Sequence, residues 1–232
     1  MKYNISVIIP CYNERNTIIP LLERIRKVSI EKEIIIVCDG STDGTREILE
    51  EEHGKCGGQN FKVLYHRVNR GKGASIRMGL SVAKNDIVII QDADLELNPE
   101  DYTRLLQPFE NGAQVVYGSR FKEGKPRIPF YSRFANWCVT FLANFLYQAN
   151  ITDEACGYKL MRLELYRALK LECNGFDFCP EVTAKVRRKG YSIVEVPVQF
   201  DPRTASEGKK IRWKHGFETV WKLIKYRFYK IN

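Results

Sequence analysis

The 232-residue chain lacks any run approaching the ~20 uninterrupted apolar residues that a membrane-crossing helix requires. It opens with no basic leader, apolar stretch and small-residue cleavage site, so residence in the cytosol is the expectation. Histidine is scarce, with only His53, His66 and His215, which argues against a histidine-centred metal site or catalytic triad. The seven cysteines are odd in number, scattered and free of any C-x-x-C pair, so neither a disulfide framework nor a zinc site is expected. A dinucleotide site would need G-x-G-x-x-G after the first strand, and a P-loop would need G-x-x-x-x-G-K-[ST]. Neither occurs.

What is present suits one large domain, or one domain with a small appendage. Hydrophobic residues make up 44% of the chain, enough for a substantial core. The net charge of +9 is unevenly placed, for nine Lys/Arg and two Glu fall between Arg203 and Asn232. A basic tail on a near-neutral body points to an anionic partner: phosphate, nucleic acid or an acidic membrane surface. No recognised nucleic-acid motif accompanies it, and no nucleic-acid partner is expected.

Apolar runs at Ile5–Pro10, Ile34–Val37, Phe61–Tyr65, Asp86–Gln91 and Ala113–Tyr117 read as strands, separated by segments of helical spacing. Such alternation argues for a parallel sheet with helices on both faces. Asn98 is placed to cap a helix opened by Pro99. Later, Phe134, Trp137, Cys138, Phe141, Leu142, Phe145 and Leu146 form a wide apolar stripe, which is either core or a groove for a lipid chain. Glu181–Lys189 reads as a basic helix, and the strand Ser192–Val198 contains a proline suited to an edge. Phe217, Val220, Trp221, Ile224, Phe228 and Ile231 share a helix face flanked by Lys222, Lys225, Arg227 and Lys230. That pattern fits an interfacial membrane helix or a helix docked on its own domain.

The chemistry concentrates where the fourth strand ends in Asp92, Asp94 and Glu96. Alternation along an extended chain places these acids on one side, and their mutual repulsion calls for a hard divalent cation with oxygen ligands. The first strand ends in Pro10-Cys11-Tyr12-Asn13-Glu14. The second ends in Asp39-Gly40-Ser41-Thr42-Asp43-Gly44-Thr45, where Ser41 and Thr42 could cap a helix and Asp39 could accept hydrogen bonds from a base or ribose. In a parallel sheet all three loops share the carboxyl edge, where open α/β sheets bind ligands.

P-x-Y-N-E, D-G-S-T-D-G-T, G-K-G at Gly71–Gly73, D-A-D at Asp92–Asp94 and G-S-R at Gly118–Arg120 occur in that order. With Thr152-Asp153, Cys156-Gly157-Tyr158-Lys159 and Glu195-Val196-Pro197-Val198, the chain resembles the inverting family 2 glycosyltransferases. Within them it is similar to dolichyl-phosphate mannose synthases and related polyprenyl-phosphate glycosyltransferases. The resemblance implies an α/β fold of the GT-A (Rossmann-like) type over residues 1–202, followed by a basic loop and amphipathic helix over 203–232. It also implies transfer of a hexose from GDP-mannose or a UDP-sugar to dolichyl or undecaprenyl phosphate, at the cytoplasmic face of a membrane touched through the C-terminal helix.

By the same resemblance, Pro10, Tyr12, Glu14, Val37 and Asp39 would hold the nucleoside. Asp92 and Asp94, with Ala93 alongside and Glu96 as a third group, would bind Mg²⁺ or Mn²⁺. Arg120, Arg203 and Lys209 would neutralise phosphates, Arg133 with Arg120 would grip the acceptor phosphate, and Asp153 would lie near the sugar. Asp94, Arg120 and Asp153 are thus the expected catalytic residues. Cys38 stands where relatives commonly carry an acid before Asp39. A related transferase acting on a sugar hydroxyl would need a base, which Asp153 or Glu181 could supply, and the Q-x-x-R-W element of polymerising synthases is lacking.

Overall fold

The structure, a computed structural model, describes residues 3–123, 126, 128–203 and 213–228, and of residues 213–218 the backbone alone. Three parallel strands form its centre: β1 (Ile5–Cys11), β2 (Lys32–Asp39) and β4 (Ile87–Ile90). Their side chains alternate between the two faces of the sheet. Ile5, Val7, Ile9, Ile34, Ile36, Ile87 and Ile89 enter one core, while Ile8, Ile35, Val88 and Ile90 enter the other. Two buried faces explain why these strands read as continuous apolar runs.

Among the described residues the sheet has seven strands. Beside the three above lie β3 (Phe61–His66), β5 (Val115–Ser119), β6 (Lys159–Arg162) and β7 (Val194–Pro197), in the order β3-β2-β1-β4-β6-β5-β7. All pairings are parallel except those of β6, which runs antiparallel to both β4 and β5. β7 occupies the edge, as its proline suggests. The β6 strand escaped sequence reading because Lys159-Leu160-Met161-Arg162 is short and carries a charge at each end.

Helices α1 (Ile18–Lys27), α2 (Thr45–Cys56), α3 (Lys72–Val82), α4 (Tyr102–Glu110), α6 (Leu163–Ala168) and α7 (Phe178–Arg188) flank the sheet. Asn98 does cap the short turn Pro99–Asp101, accepting the Glu100 N–H. The cap of α2, in contrast, comes from Asp43 rather than Ser41 or Thr42, because one Asp43 oxygen takes both the Thr45 N–H and its hydroxyl.

The long helix α5 (Phe130–Tyr147) has two unlike faces. Asn136, Thr140 and Asn144, spaced four apart, hydrogen-bond the backbone of Ala155, Glu154 and Ile151. Phe130, Phe134, Trp137, Phe141 and Phe145 instead stack in a ladder of rings at 5.7–6.5 Å. This ladder is not core: Phe130 is 82% exposed, Trp137 60% and Phe145 73%. The stripe reads as core because helical spacing reveals a shared face without revealing what covers it.

Helix α8 (Trp213–Phe228) packs on α5 and α7 through Leu223 and Tyr226, both buried. The Tyr226 hydroxyl donates to Glu181, and Lys222 pairs with Asp177. Of the face read from sequence as apolar, Trp221, Ile224 and Phe228 point outward and Val220 is partly buried, while the Phe217 side chain and Ile231 lie outside the described residues. Among the described residues no helix is long and apolar enough to cross a membrane.

An exposed ladder contributes little to folding. Replacing Phe141 or Phe145 by Ser should shift the urea-unfolding free energy by no more than ~0.5 kcal/mol. A loss of ~3–5 kcal/mol, as for a truncated core aromatic, would contradict the exposure described.

Candidate active site

Parallel β1, β2, β4 and β5 deliver their following loops to one edge. The reversed β6 adds its preceding loop to that edge, because Tyr117 pairs with Lys159 in register. Residues just after Tyr117 therefore meet those just before Lys159.

The acidic loop begins at Gln91, which is fully buried and fixed by hydroxyls of Tyr102 (2.8 Å) and Tyr158 (2.7 Å) on its Oε1. Beyond it the chain turns instead of extending. Asp94 Oδ1 accepts the Glu96 N–H at 3.1 Å, and Leu95 has φ +63°. The alternation expected for Asp92, Asp94 and Glu96 thus fails, since β4 ends at Ile90 and a side-chain-capped turn replaces the strand.

Each acid has found a positive or N–H partner. Lys72 Nζ lies 2.5 Å from Asp92 Oδ1. Arg203 spans the rest: its Nε donates to the Asp94 carbonyl at 2.7 Å, one terminal nitrogen to Glu14 at 2.7 Å, and its backbone N–H to Glu96 at 3.0 Å. Burial, then the charges of Asp92 and Glu96, push the Asp94 carboxyl up to about 7. Burial works against the charged form of Lys72, but Asp92, Cys179 and Asp94 together outweigh it and the net shift is upward.

Surplus negative charge on hard oxygens is the donor chemistry that suits Mg²⁺ or Mn²⁺. Among the described residues no three His, Cys, Asp or Glu groups converge to enclose a cation. The set on offer is therefore open, and Glu96 stands engaged with Arg203.

Around the residues expected from sequence to hold a nucleoside, the loops after β1 and β2 are stitched together. Ser41 Oγ accepts the Asn13 N–H, Asn13 Oδ1 accepts the Thr42 N–H, and Thr45 Oγ1 accepts the Glu14 N–H. Pro10 and Tyr12 are partly exposed, whereas Glu14, Val37, Asp39 and Ala93 are buried. Asp39 is occupied from within: His66 Nδ1 lies 2.6 Å away, and the backbone N–H groups of Arg70 and Gly71 donate at 2.9 and 2.7 Å. Gly40, at φ +67°, lets the Val68–Asn69 backbone pass where a side chain would collide. The sequence reading missed His66, for which the only signal was its place at the end of a strand.

On the far side Arg120 and Asp153 form a two-pronged pair at 2.7 and 2.8 Å, with Asp153 fully buried. Burial alone would lower the Arg120 pKa, but Asp153, with smaller help from Cys156 and Glu96, outweighs it and keeps the guanidinium charged. Glu195 fixes this unit by accepting the N–H groups of Thr152 and Asp153. Glu181, the other candidate base, is buried with Lys185 at 2.7 Å and so is unavailable as one. Arg133 stands exposed in the first turn of α5. Lys209 lies outside the described residues.

A family model described as Glycosyl transferase family 2 matches residues 6–170. The chain is 29% identical over 231 residues to a Dolichol-phosphate mannosyltransferase of Pyrococcus furiosus, covering 96% of this chain and 64% of that protein. It is 30% identical over 214 residues to an Undecaprenyl-phosphate mannosyltransferase of Micrococcus luteus, covering 88% and 86%. Among solved structures, glucosyl-3-phosphoglycerate synthase from Mycobacterium tuberculosis, in complex with Mn²⁺, UDP and phosphoglyceric acid, superposes with a TM-score of 0.71. That match has 20% identity over 99% of this chain and 80% of the other, a likeness of fold.

A carboxyl whose pKa rises on folding costs stability when ionised, and the cost grows as pH climbs from its unfolded value, near 3.8, through about 7. In EDTA, Asp94→Asn should therefore melt above the parent protein at pH 8 and lose that advantage by pH 4. Equal melting at pH 8 would show Asp94 to be unstrained.

Proposed function

Because the chain belongs to glycosyl transferase family 2, with the GT-A type of fold that family membership and the structural likeness support, we propose a specific reaction for it. It is inverting transfer of a hexose from a nucleotide sugar, GDP-mannose or a UDP-sugar, to a polyprenyl phosphate such as dolichyl or undecaprenyl phosphate. The chain spans 64% of the length of the Pyrococcus relative, and donor and acceptor alike belong to this proposal.

The observation that carries the lipid acceptor is the setting of Arg133. Its guanidinium-bearing turn sits among Phe130, Tyr131 and Phe134, at the head of an exposed aromatic ladder. An arginine fork suits a phosphate monoester, and a row of exposed rings suits the acyl boundary of a membrane. Outward Trp221, Ile224 and Phe228 of α8 extend the apolar surface, with Arg227 exposed beside them. In this reading the protein docks peripherally at the cytoplasmic face of a membrane.

The acceptor phosphate is already an anion at neutral pH, so attack on the sugar needs positioning more than deprotonation. That agrees with Asp153 and Glu181 both being locked in buried ion pairs, which counts against a hydroxyl acceptor. Asp153 acts by holding Arg120 at the edge between donor and acceptor. Glu14, Arg203 and the neighbouring loops form the floor of the donor site, and Asp39 organises it through His66 and the 70–71 backbone. Asp92 and Asp94 would hold Mg²⁺ or Mn²⁺, which when bound neutralises charge on the departing nucleoside diphosphate. Electrostatic preorganisation of this kind is usually the largest single catalytic contribution.

With radiolabelled nucleotide sugars and a polyprenyl phosphate, label should pass into the lipid fraction only with divalent metal. Asp94→Asn should slow that transfer by at least ~10²-fold. Label recovered in water-soluble saccharide would contradict the lipid acceptor. In vesicle sedimentation, Trp137→Ser with Phe141→Ser should weaken retention on anionic liposomes, and unchanged retention would count against the ladder as the membrane face.

A further inference from the structure

Lys72 received no role from sequence, yet among the described residues it makes the shortest ion pair at the acidic edge. Its backbone is fixed. Gly71, at φ +95°, and Gly73 bracket it, and a Cβ at either would collide with the carbonyl oxygen of Asn174 or Cys173. The Ala74 N–H donates to Asn174, and Arg77 holds Cys173 and Asn174 from the next turn. What can move is the four-carbon stem and its ammonium.

Asp92 offers a cation little choice. Its Oδ2 lies against Gly157, where a Cβ would collide with it, which leaves Oδ1 as the freer oxygen. It is Oδ1 that Lys72 occupies, at 2.5 Å. An ammonium and a divalent ion on one carboxylate oxygen repel each other, and a displaced ammonium needs a new anion. Of the neighbouring acids, Glu14 and Glu96 are engaged with Arg203, and Asp94, whose Oδ1 already takes the Glu96 N–H, is the other carboxylate the metal would use. A nucleoside diphosphate brings that anion with it.

We propose that Lys72 is a resident counter-ion that competes with the divalent metal for Asp92, so that metal binds tightly only together with the nucleoside diphosphate. This deepens the reading of Asp92 as a metal ligand and rests on it. Lys72 is a positioning residue in this scheme: it holds the Asp92 carboxylate in place between turnovers and yields it when donor and metal arrive together. By linkage, metal and nucleotide must then raise each other's affinity by the same factor.

The test is Mn²⁺ binding to the full chain, followed by the paramagnetic resonance signal of free Mn²⁺, with and without GDP or UDP. In the parent protein one of the two nucleotides should tighten Mn²⁺ by ~10-fold or more. Lys72→Met should tighten Mn²⁺ without nucleotide by ~10-fold and flatten the nucleotide effect, whereas Lys72→Arg should preserve it. Lys72→Gln gives the same comparison should the Met variant fail to show a cooperative melt. Equal Mn²⁺ affinity in the parent and in Lys72→Met or Lys72→Gln, without nucleotide, would overturn the competition while leaving the metal reading intact. No Mn²⁺ binding by any form with either nucleotide would overturn both.

Discussion

The structure depends on the repulsion among carboxylates gathered at one sheet edge. Asp92, Asp94 and Glu96 fall within five residues, and Glu14 approaches from the neighbouring strand. Left alone they would drive the loops apart or take up protons. Among the described residues two cationic side chains prevent this, Lys72 from the start of α3 and Arg203 from the segment after β7. Because Arg203 comes from a distant part of the chain and joins Glu14, Asp94 and Glu96, it closes the site as well as neutralising it.

The second constraint is topological. A purely parallel sheet would carry the loop before β6 to the opposite edge. Reversing β6 brings Asp153 to Arg120 and Gly157 to Asp92. The same loop is held from behind by the polar stripe of α5, whose other face is the aromatic ladder. One helix thereby links the proposed lipid-facing surface to the residues that fix Arg120. The buried Glu154, pushed up to about 7 chiefly by burial, sits in the middle of that link and accepts from Thr183.

Much of this was legible beforehand, for identifiable reasons. Strands buried on both faces announce themselves as apolar runs, and Asn98-Pro99 announces its turn by capping chemistry. The acids of the fourth loop were visible as a motif, and their gathering with the first two loops followed from parallel order. What escaped depended on long-range neighbours. Period two could not reveal that Asp94 would cap its own turn and bend the chain at Leu95. Helical spacing could not tell that the rings of α5 would face outward, since a buried and an exposed stripe share one pattern. The partners Lys72, His66 and Glu195 each lie at least 20 residues from the acid or backbone they serve, and their places in G-K-G, at a strand end and in Glu195-Val196-Pro197-Val198 do not say which group each meets. Asp153, expected near the sugar, reads the same in sequence whether free or paired, and only the register of β5 with β6 places it against Arg120.

The central claim is that this carboxylate edge is where a divalent ion and a nucleoside diphosphate meet. Its most direct measurement is the anomalous signal of Mn²⁺ in a crystal grown with GDP or UDP. The account predicts one strong peak at coordination distance from Asp94 and Asp92, with the diphosphate oxygens completing its shell and Lys72 moved off Asp92. A nucleotide seated at a different edge of the sheet, with no manganese peak at these aspartates, would contradict it.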